Sequence, residues 1–215
     1  MGHDPDDLAR ESRWALETRS IHVGQHPDPT YGAVAPPIYQ TSTFAFDSPA
    51  QGARRFAGTE PGYIYSRMSN PTTARLEECI ASLEGGTGAL ATASGMAAVS
   101  AVFLSHLRSG DHVIAAKALF GSCRFVVEEF LPRYGIASTL VDGTDLDQWR
   151  AAMRPNTKTC FLESPTNPTL SLVDIAAVAE IAHAGARRWS STMCSRRRML
   201  QSPLALGARF GVVYS

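Results

Sequence analysis

In the second half of the chain, short apolar runs alternate with segments of helical period. Ala89–Ala93, His112–Ala116, Ile136–Val141 and Thr159–Glu163 read as strands, His112–Ala116 of the type buried on both faces. Between and after them, Gly95–Leu107, Cys123–Tyr134, Leu146–Met153 and Asp174–Ala184 repeat apolar residues three and four apart and read as helices, with Asp145 placed to cap the third. Strands alternating with helices of this length predict an α/β fold: a mainly parallel sheet with flanking helices and right-handed crossovers. Ligands of such sheets sit beyond the carboxyl ends of the strands. Ser94-Gly95, Phe120-Gly121 and Ser164-Pro165-Thr166-Asn167-Pro168 all fall at such ends, so one rim gathers the polar and Gly-rich loops.

Upstream the pattern changes. Asn70 or Thr72 can cap a helix running through Leu76, Ile80 and Leu83 to a stop at Gly85-Gly86. Residues 21–62 show no sustained period, and Pro27, Pro29, Pro36 and Pro37 forbid a long helix. An irregular arm of that length usually serves a purpose, often in a partner subunit. Residues 1–20 read as a polar lead with a short helix near Trp14–Thr18.

Composition narrows the classes. At 215 residues and 44% hydrophobic content the chain can build a real core. Twenty basic residues balance 20 acidic ones, so no polyanion-binding surface is expected and nucleic acid is not a partner. No apolar run approaches the roughly 20 residues that span a bilayer, and Met1–Arg19 lacks the apolar core of a signal peptide. Cys79, Cys123, Cys160 and Cys194 are scattered without a Cys-x-x-Cys, which argues against a metal site or a disulfide framework and for a reducing cytoplasm.

Two stretches carry candidate chemistry. Ala91-Thr92-Ala93-Ser94-Gly95-Met96-Ala97-Ala98 reads as strand, tight turn and helix start, which aims unpaired N–H groups and the positive end of a helix dipole at one spot suited to a phosphate. Gly95 lets an anion approach the backbone. An ordinary strand–turn–helix is the alternative. Gly86-Thr87-Gly88-Ala89-Leu90-Ala91 fits a dinucleotide fingerprint, with Asp111 about 20 residues on, but it follows a helix where that fingerprint must follow a strand.

Five ordered segments carry a resemblance: Gly32–Phe44 (GAVAPPIYQTSTF), Tyr65-Ser66-Arg67 with Asn70-Pro71-Thr72, Ser94–Ala98, Leu119–Cys123 and Glu163–Pro168. Together they resemble the pyridoxal 5'-phosphate (PLP) enzymes of cysteine and methionine metabolism, the trans-sulfuration group, over about residues 18–186. Leu119-Phe120-Gly121-Ser122-Cys123 is most similar to the O-succinylhomoserine sulfhydrylase branch. The resemblance implies an aspartate-aminotransferase-like, fold type I large domain, present here in part over 63–215, preceded by a 1–62 arm that clasps a neighbouring subunit of a homodimer or homotetramer. It implies that Gly95 and Met96 give N–H groups to the PLP phosphate, with support from Ser94. Phe120 would stack on the pyridine ring and Asn167 would hydrogen-bond its 3' oxygen. Tyr65 and Arg67 would reach a neighbouring cofactor's phosphate, a role that suits the fixed charge and fork of arginine.

The same resemblance calls for a Schiff-base lysine and for a ring-nitrogen acid on a Val-Val-Asp-Asn strand. The lysines here are Lys117 and Lys158, both outside that context. Val213-Tyr214-Ser215 resembles the start of the lysine motif, so Ser215 is implied as a cofactor contact. The lysine is expected beyond it, with the C-terminal domain, and no catalytic residue is assigned within these 215 residues. Where the acid strand belongs, residues 187–198 read Arg-Arg-Trp-Ser-Ser-Thr-Met-Cys-Ser-Arg-Arg-Arg, with five arginines against the rule for a buried strand. With GC-rich codons, the frame starting at the last base of Arg188 accommodates Val-Val-Val-Asp-Asn-Val-Phe-Ala-Thr-Pro at every position, with the aspartate across Ser191/Thr192. The expectation is a pair of compensating frameshifts over about 187–198. As written, that stretch is expected to loop out, leave the sheet a strand short and make the product poorly soluble.

Function by resemblance is PLP-dependent γ-replacement: O-succinylhomoserine and sulfide give homocysteine, in methionine biosynthesis. Cystathionine γ-synthase and methionine γ-lyase activities are alternatives, as is an inactive remnant. The dinucleotide module is a third class.

Overall fold

The computed structural model describes residues 13–185, 191–195 and 201–212. The chain divides into two units, Met1–Ala91 and Thr92–Ser215.

In the first unit, α1 spans Leu16–His22, α2 Pro49–Phe56 and α3 Pro71–Glu84. The Arg19 guanidinium ties α1 to α3 through two hydrogen bonds to Ser82 Oγ, at 3.0 and 2.9 Å. Asn70 caps α3 by accepting from Thr72 N–H at 2.8 Å, as its sequence predicts. Gly85 ends α3 in the left-handed region at φ 68°, while Gly86 N–H reaches back to the Ala81 carbonyl. Gly86 is therefore used as a helix stop. No strand precedes the Gly86–Ala91 fingerprint and no helix opens on it, so the dinucleotide motif lacks its context.

Helix α2 lies inside the arm expected to be irregular. Its signal is Ser48-Pro49-Ala50-Gln51: the Ser48 hydroxyl accepts from Gln51 N–H, proline stands at the helix start, and the Gln51 side chain accepts from Asp47 N–H. A two-turn helix built this way fits between the prolines.

In the second unit, α4 (Gly95–His106) precedes β1 (His112–Ala116). Then come α5 (Gly121–Phe125), continued by a π turn over Val126–Phe130 and a 3-10 turn over Leu131–Tyr134, and β2 (Ala137–Val141). α6 (Leu146–Ala152), β3 (Thr157–Phe161), α7 (Ile175–Gly185), β4 (Ser191–Ser195) and β5 (Phe210–Val212) complete it. All five strands are parallel, in the order β2-β1-β3-β4-β5. The order reverses between β1 and β3: the chain leaves β1 toward β2, then returns to build β3, β4 and β5 on the other side. That junction is the switch point where such sheets open a crevice.

The sheet is covered on both faces. Along β1, Val113 and Ala115 enter one core with Val99, Phe103 and Phe161, while Ile114 and Ala116 enter the other with Trp149, Leu162 and Ile175. This two-sided burial is why the strand reads as continuously apolar.

Two expectations are corrected. Ala89–Ala93 is apolar but forms no strand: the Ala91 N–H donates to Glu77 Oε1 at 2.8 Å, and a strand requires a ladder neighbour. The sheet is not short of a strand at 187–198 either. β4 pairs with β3 (Cys160 opposite Thr192) and with β5 (Cys194 opposite Gly211). The strand needs only Ser191–Ser195, which contains no arginine, and backbone pairing on both sides satisfies its N–H and C=O groups whatever the side chains. Residues 187–190 and 196–198 lie outside the described residues.

His112 opens β1 fully buried, its ring nitrogens bonded to Thr157 Oγ1 at 2.8 Å and Thr139 Oγ1 at 2.9 Å. Burial, helped by the nearby Arg154 charge, lowers its pKa from 6.5 to about 4. Because the unfolded state takes up the proton first, stability is whole above the unfolded pKa and falls as pH drops toward the folded one, by about 3 kcal/mol in all. Urea midpoints measured from pH 7 to pH 4.5 should fall more steeply for the native protein than for His112→Gln. Equal slopes would contradict this assignment.

Candidate cofactor site

Helix α4 starts at the spot singled out for an anion. Ser94 is its N-cap: the hydroxyl accepts from Ala97 N–H at 3.1 Å and the carbonyl accepts the first helical bond, from Ala98 N–H, also at 3.1 Å. The N–H groups of Gly95 and Met96 precede that first bond, which leaves them as the outward donors of the helix start. The helix is anchored from behind by Phe103, edge-on to Phe161 with centroids 5.2 Å apart, and by His106, whose Nε2 bonds Thr159 Oγ1 at 2.8 Å. Burial lowers the pKa of His106, which suits its use as a neutral structural group.

Phe120, 42% exposed, stands between β1 and α5, at the carboxyl end of β1. Its N–H donates to Glu163 Oε2 at 2.8 Å. Glu163 follows β3 and is 2% exposed, so the bond links the exits of the two strands that flank the switch point. One helical turn into α5, the Cys123 thiol lies 3.8 Å from Met96 Sδ, which brings the helix start of α4 next to the helix that Phe120 begins. Desolvation, with the Glu163 charge adding to it, pushes the Cys123 thiol up to about 11, so it packs as a neutral thiol and is no nucleophile.

Asn167 is exposed on the loop that leaves Glu163. This loop is closed at its base by Ser164 Oγ, which donates to the Val173 carbonyl and accepts from Val173 N–H, both at 3.1 Å. Inside it the Leu170 N–H donates to the Thr166 carbonyl at 2.8 Å. Ser94, Gly95, Met96, Phe120 and Asn167 thus all lie in the second unit. Tyr65 and Arg67 lie in the first: Tyr65 bridges antiparallel to Thr43, and the Arg67 guanidinium sits 5.7 Å from its ring centroid. A cavity of about 310 Å³ beside them is lined by Phe44, Phe46, Phe56 and Met68. Ser215 lies outside the described residues.

Sequence reasoning missed Glu163, although it quoted the residue within a motif. The available signal was an acid at the end of an apolar strand, a position where burial demands a partner. Among the described residues no cluster of His, Cys, Asp or Glu could hold a metal ion, and no helix is long and apolar enough to cross a membrane.

A parallel sheet whose strand order reverses between β1 and β3, with helices on both faces, defines a doubly wound α/β protein. The family described as Cys/Met metabolism PLP-dependent enzyme matches residues 17–215, and the chain belongs to it. It is 45% identical over 199 residues to an L-methionine gamma-lyase from Fusobacterium nucleatum subsp. polymorphum, across 91% of this chain and 50% of that protein. It is 44% identical over 194 residues to an O-succinylhomoserine sulfhydrylase from Pseudomonas aeruginosa, across 90% and 48%. A solved structure from Campylobacter jejuni, assigned to the O-acetylhomoserine (thiol)-lyases, carries N'-pyridoxyl-lysine-5'-monophosphate. It superposes with a TM-score of 0.84 at 32% identity, over 91% of this chain and 48% of that one. The fold is the large-domain architecture of fold type I PLP enzymes. The chain spans about half the length of the curated relatives it matches.

The residues fit such a cofactor in part. Two backbone N–H groups stand ready for a phosphate, and an aromatic face is exposed on the same unit.

Proposed function

We propose that this chain carries the phosphate- and ring-binding part of a PLP site for γ-replacement on an O-acyl-homoserine, with O-succinylhomoserine and sulfide giving homocysteine. The observation that carries the reading is the open helix start at Gly95-Met96, held beside the helix that Phe120 begins by the 3.8 Å contact of Met96 with Cys123. When bound, the cofactor supplies an electron sink that stabilises charge next to the substrate's reacting carbons. The chain's own residues position it. Gly95 and Met96 N–H groups bind the phosphate with the help of the α4 dipole, and Ser94 keeps that helix start formed. The Phe120 ring covers one face of the pyridine and limits its tilt, and the Asn167 amide donates to the ring's 3' oxygen. Tyr65 and Arg67, on the 1–62/63 border of the arm, serve a second copy of the chain in a cytoplasmic homodimer or homotetramer.

γ-Elimination is the second reading, supported by the near-equal identities to a methionine γ-lyase and a sulfhydrylase, 45% and 44%. The protein expressed from the whole gene should be assayed with succinylhomoserine plus sulfide, and separately with methionine alone. Homocysteine formation is expected. A keto acid and a thiol released from methionine, with no homocysteine from the ester, would reverse the order of the two readings. Lack of either product would leave the inactive remnant.

A further inference from the structure

Glu163 is a buried acid at the rim of the sheet, beside the equally buried Ser164 and Thr166. A carboxylate in that setting is tolerated only with hydrogen-bond partners. One of its partners is the Phe120 N–H, at 2.8 Å. The β1–β3 ladder ends at Ala115 opposite Phe161, so past that pair the two chains part, and the Glu163–Phe120 bond spans the gap where they do. Phe120 is also the N-cap of α5 and offers no side-chain cap, so the Glu163 carboxylate stands at the positive end of that helix. Phe120 is 42% exposed as a residue, so packing encloses it only in part and the fastening of its backbone helps set where the ring lies. Glu163 itself is set by β3 on one side and by the Ser164–Val173 closure on the other.

We propose that Glu163 is a positioning residue of the cofactor site: its carboxylate fastens the Phe120 backbone across the switch point, so that the ring presents its face to the ligand. The proposal rests on the reading above, in which Phe120 stacks on the pyridine ring.

Hydrogen exchange on the ligand-free chain tests the anchoring alone. The Phe120 amide should exchange about tenfold faster in Glu163→Ala than in the native protein, and Glu163→Gln, whose amide oxygen still accepts, should restore protection. Unchanged protection in Glu163→Ala overturns the proposal whether or not PLP binds. Should Glu163→Ala fail to fold, the apolar and similarly sized Glu163→Leu takes its place. Titration with PLP, read by the circular dichroism induced in the cofactor band, tests the consequence. Glu163→Ala should weaken binding about tenfold and reduce the induced signal, and in a Phe120→Leu background the same change should have no further effect, because the acid acts through that ring. Additive losses overturn the positioning role. Failure of the native chain to bind PLP would sink the function reading, while the exchange result would still decide the anchor.

Discussion

Trp149→Ala is expected to lose about 3–5 kcal/mol, a large share of the roughly 5–15 kcal/mol that holds a domain together. Trp149 is wholly buried on α6, and its indole N–H donates to the Gly143 carbonyl at 3.1 Å. The ring fills the core that Ile114, Leu162, Ile175 and Val178 build on one face of the sheet. Removing it opens a cavity that the rigid strands cannot close, and it also strands the Gly143 carbonyl. Trp149→Phe keeps most of the volume and should lose only part of that stability. The urea midpoint and slope measure both variants. A Trp149→Ala midpoint within the range of ordinary surface substitutions would mean that this core does not carry the fold.

The second large effect concerns β4. Replacing residues 189–198 with Val-Val-Val-Asp-Asn-Val-Phe-Ala-Thr-Pro, the translation of the alternative frame, should raise stability. β4 lies between β3 and β5, paired on both sides, where a strand is normally a continuous apolar run. Within β4 the exchange brings Val for Ser191 and Phe for Ser195, set against Asp for Thr192 and Asn for Met193; at about 0.8 kcal/mol per buried methylene the balance is a gain of about 1–2 kcal/mol. For a chain of this size that is a rise in melting temperature of about 5 °C. The same replacement would place a carboxylate on the strand that pairs with β3, so if the proposed site holds PLP a tighter complex should accompany the higher melting temperature. A lower or unchanged melting temperature would contradict the frame reading. So would genomic codons across 188–198 that cannot encode aspartate in the shifted frame.

Much of this protein was legible in its sequence because the signals are local. Asn70, Asp145 and Gly85 act as caps because a side chain or a positive φ satisfies backbone groups within a few residues. His112–Ala116 is found where the apolar run predicts it, and Ser94-Gly95 begins a helix as the turn residues imply. Even α2 carried its signal in Ser48-Pro49-Ala50-Gln51. Other features depended on neighbours far along the chain. Ala89–Ala93 is as apolar as a strand but lacks a ladder, whereas Ser191–Ser195 is polar and gains two. Strand pairing is decided by which backbone lies alongside, and no local pattern encodes that. The switch point between β1 and β3, and the bond from Phe120 to Glu163 that spans it, join residues 43 apart. The sequence by itself determined the family, the capped helices and the buried strand His112–Ala116. Only the tertiary structure decided the strand order, and with it that the buried Glu163 would accept from the Phe120 backbone N–H across the switch point.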